Sequence, residues 1–141
     1  SQGRSQIELM EQPIIHLASD DFVQLSRETS IKSAIHQMAE AQVSEAYVTT
    51  NGNEFLGKVS LHGLLNSEDA LFVTSSLIEN PTNIKHDASL QQGIEIASEF
   101  VGESIPVVNF ETGELLGVLS EADLFQAYLS TQNKIIDLEK K

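Results

Sequence analysis

One stretch of this chain occurs twice, and that repeat constrains the fold more than any other feature. Ser30 aligns with Ser89, Ile31 with Leu90, Ile35 with Ile94 and Val48 with Val107, at an offset of about 59 residues. Past a one-residue insertion in the second copy, the offset is about 60. There Leu56 meets Leu116, Gly57 meets Gly117, Ser60 meets Ser120 and Leu64 meets Leu124. The match also runs upstream, with Ile14 to Leu25 against Val73 to Ile84 and Asp21 opposite Asn80. Units repeated at this period do not bury their apolar faces alone, so the two copies are expected to stack into one body.

Each copy reads as β-α-β-β-α. In the first, Phe22 to Leu25 is a strand candidate, and Arg27-Glu28-Thr29-Ser30 offers an N-cap. Ile31, Ala34, Ile35, Met38 and Ala39 then recur at helical spacing. Glu45 to Thr50 and Phe55 to Ser60 flank the turn Asn51-Gly52-Asn53, a hairpin, and a helix follows over Leu61 to Leu65. In the second copy Ile84 centres a strand, and Ser89-x-x-Gln92 is a capping box. Leu90, Gly93, Ile94, Ala97 and Val101 form the helical stripe. Ile105 to Val108 and Leu115 to Leu119 flank Glu111-Thr112-Gly113.

The second copy closes on Gly117-Val118-Leu119-Ser120-Glu121-Ala122-Asp123-Leu124, a strand turning into a helix. Two readings of Ser120 and Asp123 stand side by side. As a capping box, the serine caps the helix and the acid reaches back to the N-cap amide. As a site, the free N–H groups and the helix dipole attract an anion, Ser120 adds a hydroxyl, and Asp123 accepts from a sugar diol. A phosphorylated ribose suits all three. The first copy has Gly63 in place of the acid, so at most one competent site is expected.

Outside the repeats, 1–12 reads as a linker or short lead-in helix with Ile7, Met10 and Ile14 on a weak apolar edge, a terminus expected to pack loosely. The repeats take 13–68 and 69–130, and 131–141 is a helical tail. Leu124, Ala127, Tyr128, Thr131, Ile135 and Leu138 share one face of that last helix. Such a stripe either packs on the lead-in or meets a second subunit or neighbouring domain. The polar start without Met is expected to be the cut end of a longer protein, with Ser1 to Gly3 left from expression.

Composition narrows the function classes. A hydrophobic content of 40% suits a packed globule, and no apolar run approaches a membrane span. With 21 acids against 8 bases, the formal charge of −13 repels nucleic acid and anionic membrane surfaces. The absence of cysteine removes thiolate zinc sites, disulfides and a cysteine nucleophile. The spacing of His16, His36, His62 and His86 does not pair them as metal ligands, and neither a nucleophile elbow nor a P-loop is present. The chain is not expected to be an enzyme.

The order of elements, their period and the doubled Gly-x-[Val/Leu]-Ser resemble a pair of cystathionine-β-synthase (CBS) domains, the Bateman module, over about residues 13 to 130. The resemblance implies an α/β (α+β) fold of two β-α-β-β-α repeats related by a pseudo-twofold. It also implies an adenosine compound bound between the repeats: AMP, ADP or ATP, the last with Mg2+. In that family the acid of the motif holds ribose and the serine contacts phosphate, which assigns Asp123 and Ser120. Ile84, Ile105 and Pro106 are then expected beside the base, with Lys85 and His86 near a phosphate. Ser60, His62 and Gly63 are expected to line a degenerate second site.

The segment from Gly117 to Leu129, with its Ala127-Tyr128 pair, is similar to the close of the cytoplasmic tail of CLC-type chloride channels and transporters. This implies a homodimeric regulatory module on the cytoplasmic side, attached to a membrane transporter domain. The alternatives are a ligand-free dimerisation module, or the regulatory domain of a cytosolic enzyme or of a divalent-cation efflux protein.

Overall fold

A computed structural model of the chain describes residues 8–67 and 69–139. Ser1 to Gly3, Ile7 and the side chain of Leu138 lie outside the described residues. The elements run β1 (Gln24–Ser26), α1 (Ile31–Ala41), β2 (Glu45–Thr49), β3 (Phe55–Ser60) and α2 (Leu61–Leu65), then β4 (Ile84–Lys85), α3 (Leu90–Ala97), β5 (Ile105–Val108), β6 (Leu115–Leu119) and α4 (Glu121–Glu139). Short 3-10 turns at Ile14–Leu17 and Val73–Ser76 lead into the two halves. The described strands form two three-stranded sheets, β1-β2-β3 and β4-β5-β6.

The two sheets share one register. β1 runs parallel to β2 with Leu25 opposite Val48, and β4 runs parallel to β5 with Ile84 opposite Val107. The antiparallel hairpins place Val48 opposite Gly57 and Val107 opposite Gly117. Both hairpins slip register one residue later, between Val48 and Thr49 and between Val107 and Val108. Parallel pairing requires a crossover, and α1 and α3 supply it. Each begins at a serine, Ser30 accepting from Ser33 N and Ser89 from Gln92 N; the Ser89 box is closed by the Gln92 side chain.

Each sheet covers its own helices. Leu25, Ala34, Met38, Val48, Val59 and Leu64 pack in the first core. Ile84, Leu90, Ile105, Val107, Leu119 and Leu124 pack in the second. The lead-in segments cross over. Ile14 is fully buried in the second core and Val73 in the first. Ile14 N donates to Ala88 O at 3.0 Å, and its counterpart Val73 N donates to Thr29 O at 3.0 Å. Ser19 pairs with Val118 on β6, while Ile78 pairs with Lys58 on β3. Each half thus completes the other, which ties the pair into one body.

This crossing gives the motif glycines their physical reason. A Cβ on Gly57 would stand 2.3 Å from Ile78 O, and one on Gly117 would stand 2.9 Å from Ala18 Cβ and from Ser19 O. The lead-in strand lies where a side chain would be.

Past the 1–12 segment the chain packs firmly: Gln12 O accepts from Leu90 N and Ile14 is a core residue. Several expectations are corrected. β1 begins at Gln24, two residues past Phe22, since Phe22 turns to Tyr47 instead. α3 ends at Ala97 and leaves Val101 exposed in the loop, because the bonds after Ser98 tighten to Glu99 N–Ile96 O and Phe100 N–Ala97 O and Gly102 then takes a φ of +153°. The face of α4 that bears Leu124, Ala127, Thr131 and Ile135 packs inward, and Thr131 shares a groove with Gln12, Pro13 and His16.

Candidate functional site: a cleft between the repeats

The other faces of the two sheets meet in a thin layer. Tyr47 is buried there with Leu115 and Val118, and Phe22 and Phe55 pack beside them. The Phe22 and Tyr47 rings meet edge to face at 5.6 Å. Tyr47 Oη donates to Ser104 O at 3.0 Å and also contacts Ser104 Oγ. Burial pushes the Tyr47 hydroxyl up to about 12, against a smaller lowering by its Ser104 bond; the carboxylates of Glu45 and Glu103 add to the rise.

Polar contacts then lock the repeats together. Glu103 N donates to Glu45 Oε1 at 2.7 Å, and Ser44 N donates to Glu103 Oε1 at 2.6 Å. Lys58 Nζ lies 2.5 Å from Glu45 Oε2 and 5.5 Å from the centre of the Phe100 ring.

Beside this layer opens a cleft of 210 Å3. One wall is Ser120 and Asp123 at the head of α4, with Val118 behind them. The facing wall comes from the first repeat: Asp21, Phe22 and Val23 before β1, and Val43, Glu45 and Tyr47 around β2. Glu103 and Ser104 also line it. Ser120 and Asp123 both line this cleft, and they also form the capping box: Asp123 N donates to Ser120 Oγ at 3.0 Å, and Ser120 N donates to Asp123 Oδ2 at 3.2 Å. Capping and lining are compatible, because an exposed carboxylate with one oxygen on a single amide keeps acceptor capacity for a diol.

The phosphate half of the expectation fares differently. The first turn of α4 already holds two carboxylates, Glu121 and Asp123, which satisfy its dipole. Lysine and arginine are absent from the described lining.

The remaining expected residues are not brought to this cleft. Ile84 and Ile105 are fully buried in the second core, and Pro106 is buried in β5 opposite Val118. Ile84 and Ile105 face the core of the half that carries them, while Pro106, on the opposite face of β5, is buried beside the layer without lining the cleft. Lys85 stands in a separate groove with Asp87 and Gln92, its Nζ 5.3 Å from the centre of the Phe110 ring. The Nδ1 atom of His86 is buried without a hydrogen bond. At the first motif Ser60 Oγ accepts from Gly63 N at 2.9 Å, and His62 contacts Asn66 at 3.2 Å.

The lining that the sequence reading did not name comes mostly from the opposite repeat, with Asp21, Phe22, Val23, Val43, Glu45 and Tyr47, and also includes Glu103 and Ser104 of the same repeat. The alignment of Asp21 with Asn80 marked that segment as part of the unit, but only the crossing of the lead-ins brings it to Asp123. Among the described residues, no group of three or more His, Asp or Glu is arranged to hold a metal, and no helix is long and apolar enough to cross a membrane.

A family model described as "CBS domain" matches residues 8–69 and again residues 75–130. Among solved structures, CBSX2 of Arabidopsis thaliana in complex with AMP matches with a TM-score of 0.74 and 19% identity, over 85% of this chain and 98% of that one. CbpB in complex with c-di-AMP matches with a TM-score of 0.81 and 13% identity, over 96% and 97%. The cystathionine β-synthase pair domain of a protein described as a Mg2+ transporter, from Shewanella oneidensis MR-1, matches with a TM-score of 0.77 and 17% identity, over 92% and 80%. Among curated protein sequences, none matches.

Proposed function

Because the chain belongs to the CBS domain family and carries the domain twice, we propose that it is a regulatory module that senses an adenosine compound. The ligand sits in the cleft at Ser120 and Asp123, and its occupancy controls an attached membrane ion transporter of the chloride-channel type. The observation that carries the reading is the cleft itself: it brings a motif carboxylate on one repeat together with half-buried Phe22 and Val23 from the other, backed by the buried Tyr47. A base stacks on these side chains while the ribose diol reaches Asp123. Solved relatives with AMP and c-di-AMP bound support an adenine ligand, and the pair from a described Mg2+ transporter supports an ion-transport setting.

A ligand in this position touches both repeats. It biases the angle between them by as much as its affinity differs between two arrangements, a coupling of about 1–3 kcal/mol in typical cases. The module performs no chemistry; it converts occupancy into shape.

A second reading is an interaction element, and an exposed face of α4 favours it. Phe125, Tyr128, Leu129 and Ile136 stand outward there, and Leu65 stands outward at the counterpart of Phe125 in α2. Those residues suit a homodimer through the motif helices.

Thermal unfolding against AMP, ADP, ATP, adenosine and S-adenosylmethionine tests the first reading. A shift of several degrees with one of them, lost in Asp123→Ala, supports the sensor. No shift, together with dimers that dissociate in Phe125→Glu, supports the interaction element.

A further inference from the structure

Resting on the adenosine reading of the cleft, we infer that this cleft selects against a 5′-phosphate. It takes a nucleoside whose 5′ substituent is uncharged or cationic, and Asp21 and Glu103 make the selection. Four carboxylates line the cleft: Asp21, Glu45, Glu103 and Asp123. Glu45 is compensated by Lys58, and Asp123 is turned to Ser120 N and to the diol. Asp21 and Glu103 remain, and among the described residues neither has a cationic partner. One oxygen of Glu103 accepts from Ser44 N, which holds the carboxylate in the lining of the cleft.

The pseudo-twofold supplies an internal comparison. Asp21 corresponds to Asn80, Glu103 to Ser44, Asp123 to Gly63 and Val118 to Lys58. Every acid that faces this cleft without a cation is thus neutral at its counterpart, and the one nearby cation replaces an apolar residue. The charge is a property of this side of the pair and not of the repeated unit.

A phosphate placed here would share the cleft with the carboxylates of Asp21 and Glu103 and with no lysine or arginine of the lining. The helix terminus that would otherwise attract it is already occupied by Glu121 and Asp123. A sulfonium or amino group at the 5′ position would instead be drawn to Asp21 and Glu103.

The test is isothermal titration of the full chain with adenosine, S-adenosylmethionine, AMP and ATP at one ionic strength, repeated on Asp21→Asn/Glu103→Gln. Expected is AMP at least tenfold weaker than adenosine or S-adenosylmethionine. The double variant should raise AMP affinity at least tenfold and leave adenosine within about twofold. An unchanged melting temperature of the ligand-free variant confirms that its fold is intact. Native protein that binds AMP or ATP as tightly as adenosine overturns the inference and leaves the adenosine reading standing. So does a variant with the native ratio. No binding of any of the four to either protein removes the adenosine reading and this inference with it.

Discussion

Lys58 Nζ and Glu45 Oε2 stand 2.5 Å apart with both side chains almost covered, and Lys58 holds the position that Val118 holds in the second repeat. One repeat places a charge at the inter-repeat layer where the other places a methyl-bearing side chain. Glu45 uses its other oxygen to accept from Glu103 N across the layer. The two halves are therefore alike in backbone and unlike in the electrostatics of the layer between them.

Removing one member of such a pair leaves the other buried and uncompensated, a loss of about 3–5 kcal/mol in typical cases. Lys58→Met is expected to lower stability by about 3 kcal/mol. Lys58→Met with Glu45→Gln should recover more than half of that loss. Urea unfolding of the two variants gives the comparison, and equal losses would show that the pair does not act as a unit.

Gly57→Ala places a Cβ against Ile78 O in backbone at φ +149°, so it should cost about 3 kcal/mol or prevent folding. Gly117→Ala meets Ala18 Cβ and Ser19 O at 2.9 Å and should cost less. Thermal unfolding ranks them, and the reverse order would mean that the lead-in at Ile78 yields more easily than the one at Ala18.

Much of this architecture is legible in the chain. The offset that sets Leu25 on Ile84 and Val48 on Val107 also sets every strand pairing, because register follows from which residues face the core. The serine caps at Ser30, Ser89 and Ser120 are local hydrogen-bond chemistry and can be read locally. The crossing of the lead-ins is not local. Ile14 aligns with Val73 whether each packs in its own half or in the other, so the alignment carries no information on the exchange. The sequence therefore points to Ile84, Ile105 and Pro106 of the same repeat, whereas the cleft at Asp123 is lined from the other repeat by Phe22, Val23 and Tyr47.

Ser120→Ala removes one arm of the cap at α4, and Ser89→Ala removes the matching arm at α3. Each should cost about 1 kcal/mol. Asp123→Asn keeps an acceptor for Ser120 N and should cost a few tenths of that. If Asp123→Asn instead lost as much as Ser120→Ala, the carboxylate charge on the helix dipole would be the larger part of the cap.

Tyr47 gives the chain an alkaline limit. The unfolded tyrosine loses its proton near pH 10, while the folded one holds it to about 12. Between those values the unfolded state binds fewer protons, so stability falls as pH rises; below pH 10 the contribution is fully present. The loss across that window is about 2–3 kcal/mol. Tyr47→Phe should be less stable at neutral pH by about 1 kcal/mol through the lost Ser104 bond. It should also lack the extra fall above pH 10, as denaturant unfolding at pH 8 to 11 would record.

The central claim is that an adenosine compound lies between the repeats at Asp123. Amide chemical-shift mapping of the full chain with adenosine added tests it most directly. The account predicts shifts confined to Asp21–Val23, Val43–Tyr47, Glu103, Ser104 and Val118–Asp123, abolished in Asp123→Ala. Shifts centred instead on the Lys85–Gln92 groove, or none at saturating adenosine, would contradict it.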